Sequence, residues 1–161
     1  MLPEMKLPEG PWLHEPDFAK WRDPETGLLC TIVRNRDLGN LCGYVRLPHG
    51  KLRRKIISAS RHSHRPGYFT SHLRTIEVHG GLIYSRHSSY HKMSRGYWIG
   101  FDCAHAWDLV PGMSAFLRSL SKISGDSLSA FERDSVYRDF AYVKAEVTSL
   151  ARQVAEINRK F

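Results

Sequence analysis

Between positions 79 and 108 the chain gathers side chains able to ionise, attack or coordinate: His79, then Asp102, Cys103, His105 and Asp108. A thiol, an imidazole and carboxylates are the parts of a nucleophile, its base and the group that orients the base, an arrangement defined by geometry in space. Two imidazoles with a carboxylate also suit Zn or Mn, so His79, His105 and an Asp could form a mononuclear site. The recognisable zinc spacings are absent, and neither metal nor cofactor is assigned from sequence. In a plainer reading, Asp102 and His105 bond backbone in a tight turn. In another, the group contacts a ligand without turning it over. His79, His105 and Asp108 are the catalytic candidates, yet binding without turnover is the leading expectation.

Two further stretches could take part. In His79-Gly80-Gly81, bare amides beside an imidazole can cradle a phosphate or an oxyanion; a bulge in a central strand explains the glycines equally well. Residues 51–74 carry Arg53, Arg54, Lys55, Arg61, His62, His64, Arg65, Tyr68, Phe69 and His72. Guanidinium groups bind phosphates bidentately, and aromatic rings offer faces on which bases stack. Arg86, His87, His91, Lys92 and Arg95 fall between two expected central strands and could converge from the other side.

Charge supports an anionic partner. The net charge is +8, and between Cys42 and Gly100 eleven Lys or Arg stand against a single acid, Glu77. Such a surface attracts nucleic acid, anionic lipid or a small phosphorylated molecule. Cys30, Cys42 and Cys103 lack metal-type spacing and read as reduced, buried thiols. No apolar run reaches the roughly 18 residues of a membrane span, and the first residues show no signal pattern, so a cytoplasmic location is expected.

The elements that must position these groups read as one α+β domain: an antiparallel sheet of about four or five strands and a long C-terminal amphipathic helix. Residues 1–27, rich in Pro and Trp, read as an irregular arm with at most a short helix near Asp17–Trp21. Residues 28–133 form the core. Within it, runs 28–33 and 41–47 flank an Asn/Asp/Gly turn as a hairpin. Residues 48–74 read as a long basic loop, 76–84 and 97–101 as central strands, and about 114–120 as a short helix. From 134 to 161, Val136, Phe140, Val143, Val147, Leu150, Val154, Ile157 and Phe161 recur at steps of three and four, predicting a helix capped by Asp134 or Ser135. Its seam would bury against the sheet or against the same helix of a second copy.

The strings CGYV (42–45), VHGGL (78–82), GFDCAHAWD (100–108) and YRDFAYVKAEVTSLA (137–151) follow W-x-D-P-E-T-G-L-x-C (21–30). In this order they resemble a family of small phage and prophage proteins whose activity is unassigned, so no catalytic residue carries over. Trp107 and the basic run Lys51–Lys55 depart from the family pattern. The resemblance implies an accessory protein of the host cytoplasm. Such proteins often counter host immunity, some as sponges that hold a nucleotide signal uncleaved.

The leading expectation is a protein that sequesters an anionic nucleotide-type small molecule. Its contacts would come from Arg74, His79, Gly80, Gly81, Asp102, His105, Arg54, Arg61, Arg65 and Tyr68, with Arg on phosphate and Asp102 on a ribose hydroxyl or on His105. The alternatives are a phosphodiesterase or other hydrolase using His79, His105 and Asp108, and a nucleic-acid-binding accessory protein.

Overall fold

Alternating and β-branched runs organise the sheet. In the computed structural model, which describes residues 6–63, 70–88, 92–124 and 134–161, five strands pair antiparallel in the order β1-β2-β3-β5-β4. They are β1 (Phe18–Arg22), β2 (Leu29–Arg34), β3 (Leu41–Arg46), β4 (Tyr84–Ser88) and β5 (Gly96–Asp102). The helices are α1 (Lys51–Ser63), α2 (Pro111–Ser124) and α3 (Phe140–Arg159). The chain is thus α+β with a C-terminal helix, as its periodicities predict. No helix among the described residues is long and apolar enough to cross a membrane.

The β2–β3 hairpin falls where the turn residues place it. Asn35 closes it by accepting from the amides of Asp37 and Leu38 at 2.9 and 3.0 Å through its side-chain oxygen. α3 lies across β2 and β3, and Val143, Val147, Leu150 and Val154 are fully buried there. Each contributes about 1.5–3 kcal/mol relative to exposure. Gly43 permits this approach, because a Cβ there would stand 2.5 Å from Val147. The middle of the seam is therefore buried against the domain's own sheet, while Phe140 and Ile157 toward its ends are partly buried.

Several expectations change. β1 takes the place of the short helix expected near Asp17–Trp21, because Phe18, Lys20 and Arg22 alternate with the more buried Ala19 and Trp21 along an edge. Before it, the described part of the arm carries only a 3-10 turn over Pro11–His14. Pro16 and Pro24 flank this strand without entering it, where each would have cost a ladder bond. The basic loop becomes α1 over 51–63: Leu52 and Ile56, four apart, are fully buried, which suffices to anchor a helix whose other faces are cationic. α3 begins later than predicted. Asp139 caps it, accepting from the Tyr142 amide at 2.8 Å, while Val136 is half exposed outside the helix.

The segment 76–83 is not a strand. The Glu77 amide donates to the Gln153 side chain (2.8 Å) and the His79 amide to Glu146 (2.7 Å), so helix side chains occupy groups a sheet neighbour would use. Gly80 and Gly81 then turn the chain with φ of 65° and 85°, and β4 begins at Tyr84. Arg86 and His87 consequently lie on β4, not in a loop.

A buried polar knot ties the N-terminal arm down. Arg34, 7% exposed, donates to Asp17 (2.6 Å), Glu15 (3.3 Å), Tyr137 (2.9 Å) and the Gly39 carbonyl (2.8 Å). Trp12 packs edge-on against Tyr137.

Candidate functional site

Residues 72–79 run antiparallel to α3. His72 meets the ring of Phe161, Glu77 meets Gln153, and His79 arrives at Tyr142 and Glu146. His79 is thereby delivered to the N-terminal end of α3. From the sheet side, β5 ends at Asp102 and enters a tight turn in which the Asp108 amide donates to the His105 carbonyl (2.9 Å). The His105 amide returns to the Asp108 carboxylate (3.0 Å), and Ala104 donates to Asp102 (3.3 Å). A short parallel bridge between Asp108 and Val136 fixes the turn to the strand-like lead into α3.

These placements converge on Asp108, whose side chain is fully buried. Its Oδ2 lies 2.8 Å from His79 Nε2 and 3.0 Å from His105 Nδ1. Arg138 Nε donates to Oδ1 at 3.1 Å. Burial pushes the Asp108 carboxyl up, but hydrogen bonds from His79, His105 and Arg138 outweigh it and hold the group below its usual range. An ionised carboxylate only accepts, so both facing imidazole nitrogens carry protons. The other nitrogen of His79, Nδ1, is 2.9 Å from the Tyr142 hydroxyl. The Cys103 thiol is pushed well above its ordinary value by burial and by the Asp108 charge, which argues against a nucleophilic thiolate.

Gly80 has a different role from the expected ligand cradle. A Cβ there would stand 2.0 Å from His105 Nε2 and Cε1, so the space is taken by the chain's own imidazole. At Gly81 nothing lies within 4 Å of a Cβ position. Asp102 joins the group through His105, its Oδ1 lying 3.9 Å from Nε2.

The guanidinium groups do not follow. α1 sits at the C-terminal end of α3, where Lys55 lies over the Phe161 ring and Gly50 faces Asn158. Asn158 and Tyr142 are about 24 Å apart along a helix rising 1.5 Å per residue. Arg54 and Arg61 on α1 are accordingly remote from His79, and Arg74 stands exposed beside His72, before the chain reaches Glu77. Arg65 and Tyr68 lie outside the described residues.

Sequence reasoning missed Arg138, Tyr142 and Glu146. Their signal was a step of four beside the apolar seam, three polar groups on one flank of the C-terminal segment. It also missed the setting of Trp107, which stacks on His105 at 4.9 Å and 9° while remaining 52% exposed. Beside His105 and Asp108 opens a pocket of about 280 Å³, walled mainly by Leu38, Leu109, Val110, Met113 and Leu117 with Ser114. The arrangement sets an apolar recess beside a buried imidazole–carboxylate cluster, while Trp107 lies outside that recess and lines a second opening with Ala106, Asp134 and Ser135. No family model, curated protein or solved structure matches the chain.

Proposed function

We propose that this protein binds and holds a nucleotide-type small molecule at the His105 pocket, gripping its base and sugar. The observation that carries the reading is Trp107, an indole left half exposed at the edge of the His105–Asp108 turn. A flat heterocycle stacks on such a face. The His105 ring covers one face of the indole, so the heterocycle takes the other. The apolar recess lined by His105 receives another part of the molecule, and Asp102, its side chain 29% exposed beside His105, accepts from a ribose hydroxyl. No Lys or Arg among the described residues lines the pocket, so the phosphates face solvent. The resemblance of residues 21–151 to phage and prophage proteins supports a purpose for this: removing a host immune signal from its receptor.

A melting screen with nucleosides, nucleotides, cyclic dinucleotides and ADP-ribose tests the reading. A ligand at 100 times its Kd stabilises by about 2.7 kcal/mol, roughly 5–10 °C for a chain of this size. At least one base-containing compound should do so, with Trp107→Ala removing the shift and intact compound recovered after denaturation. No shift with any member of the set defeats the proposal.

A second reading, hydrolysis, is favoured by the His105–Asp108 pair. With Nδ1 held by a buried carboxylate, Nε2 is the position from which an imidazole activates water. Cleaved compound seen by chromatography would select this reading over sequestration.

A further inference from the structure

Three potential ligand atoms, one each from His79, His105 and Asp108, lie within 4.8 Å of one another. We infer that they form a mononuclear site for a first-row divalent transition ion, with its remaining coordination position open toward the pocket beside His105. This goes beyond the binding proposal and does not depend on it.

The donor set is imidazole, imidazole and carboxylate, a combination suited to Zn2+ and its neighbours. In the metal-free arrangement two imidazole N–H protons crowd around Asp108 Oδ2, at heavy-atom separations of 2.8 and 3.0 Å. Those protons stand where a cation would. Bonds of about 2.0–2.1 Å in a tetrahedron separate ligand atoms by about 3.3 Å, so loading the site needs the rings to retreat from Oδ2 by a few tenths of an ångström and their two nitrogens, which lie within 4.8 Å of each other, to swing to that same separation.

The surrounding groups match what a metal ligand needs behind it. The Tyr142 hydroxyl, 2.9 Å from His79 Nδ1, accepts that nitrogen's proton once Nε2 is committed to the ion. Asp102 faces the far nitrogen of His105. Arg138 on Oδ1 and the His105 amide on Oδ2 hold the carboxylate in place. Arg138 also brings a like charge toward the cation. Asp102 and Glu146, whose carboxylate takes the His79 amide at 2.7 Å, offset it. Three protein ligands and a pocket-facing vacancy are the pattern of sites that bind water or substrate.

The chain has nine histidines, so adventitious binding must be separated from this site. Zn2+ is titrated into the full-length protein by equilibrium dialysis against a competing chelator, and Co2+ is added in a parallel sample to read visible absorption. The expected result is one tightly held ion per chain and the intense bands of four-coordinate Co2+. His105→Ala should weaken binding by more than about 100-fold and Tyr142→Phe by about 10-fold, while His62→Ala and His87→Ala leave it unchanged. Circular dichroism checks that His105→Ala is folded; if it is not, the Co2+ spectrum of the unaltered protein decides. Fewer than one tightly held ion, a six-coordinate Co2+ spectrum, or affinity that survives folded His105→Ala overturns the inference.

Discussion

His79 and Asp108, 29 residues apart in the chain, face each other so that one imidazole nitrogen lies 2.9 and 2.8 Å from the two carboxylate oxygens. The contact joins the segment that runs along α3 to the turn that follows β5. Because the Asp108 side chain is fully buried, removing it strands His79, the His105 amide and Arg138 together. Asp108→Ala should therefore cost about 3–5 kcal/mol, the range for breaking a buried pair from one side. Asp108→Asn, which keeps an acceptor, should cost less. Urea unfolding of both variants measures the difference, and equal small losses would show that the cluster is not a structural hub.

Gly80 and Gly81 make a matched pair of tests. Both have positive φ, where an L side chain costs about 1–2 kcal/mol. Only Gly80 also faces an occupied space, since its Cβ would meet His105 at 2.0 Å. Gly81→Ala should lose about the backbone cost alone. Gly80→Ala should lose more in a melting experiment, and should also displace the His105 ring, visible as a shift of its imidazole proton resonances.

What the sequence revealed follows from which forces were local. The β2–β3 hairpin and the α3 seam were legible because period-two and period-four patterns, with Asn35 at the turn, specify them within a few residues. α1 was hidden because two buried positions, Leu52 and Ile56, hold it amid cationic neighbours whose spacing carries no apolar signal. The false strand at 76–79 had the right alternation, but its amides are satisfied by Gln153 and Glu146, partners some seventy positions away. At the site, His79, Asp102, His105 and Asp108 were visible as chemical types. That Asp108 is their centre, and that Arg138 rather than Arg54 or Arg61 supplies the guanidinium, depended on the docking of α3.

The thiols give a pH prediction. Burial raises Cys42 to about 11 and Cys30 to about 12, from an ordinary value of 9.0, with nearby carboxylates adding to the shift. Above pH 9 the unfolded chain releases these protons while the folded chain keeps them, so ionisation favours unfolding. Stability should fall between pH 9 and 11 by about 1.4 kcal/mol per pH unit for each thiol. Cys42→Ala should flatten that slope by one thiol's share in urea titrations at stepped pH. Below pH 9 the folded protein should react with a thiol reagent far more slowly than the denatured one.

Glu15 reaches across 125 residues to accept the Phe140 amide at 3.0 Å, so a residue of the N-terminal arm satisfies the first turn of α3. Its other oxygen accepts from the Tyr137 hydroxyl at 2.6 Å and from Arg34 at 3.3 Å. Arg34 has a side chain only 6% exposed, and its remaining carboxylate, Asp17, is 74% exposed. Glu15→Ala thus leaves a nearly buried guanidinium half paired and a helix amide unmet, which should cost about 3 kcal/mol. Glu15→Gln keeps an acceptor at only one of these two positions and should cost less than Glu15→Ala. Because Tyr137 adjoins Arg138, the loss should also reach the site. A double-mutant cycle with Arg138→Ala should show coupling above about 0.5 kcal/mol, whereas strict additivity would mean that the arm and the Asp108 cluster are energetically independent.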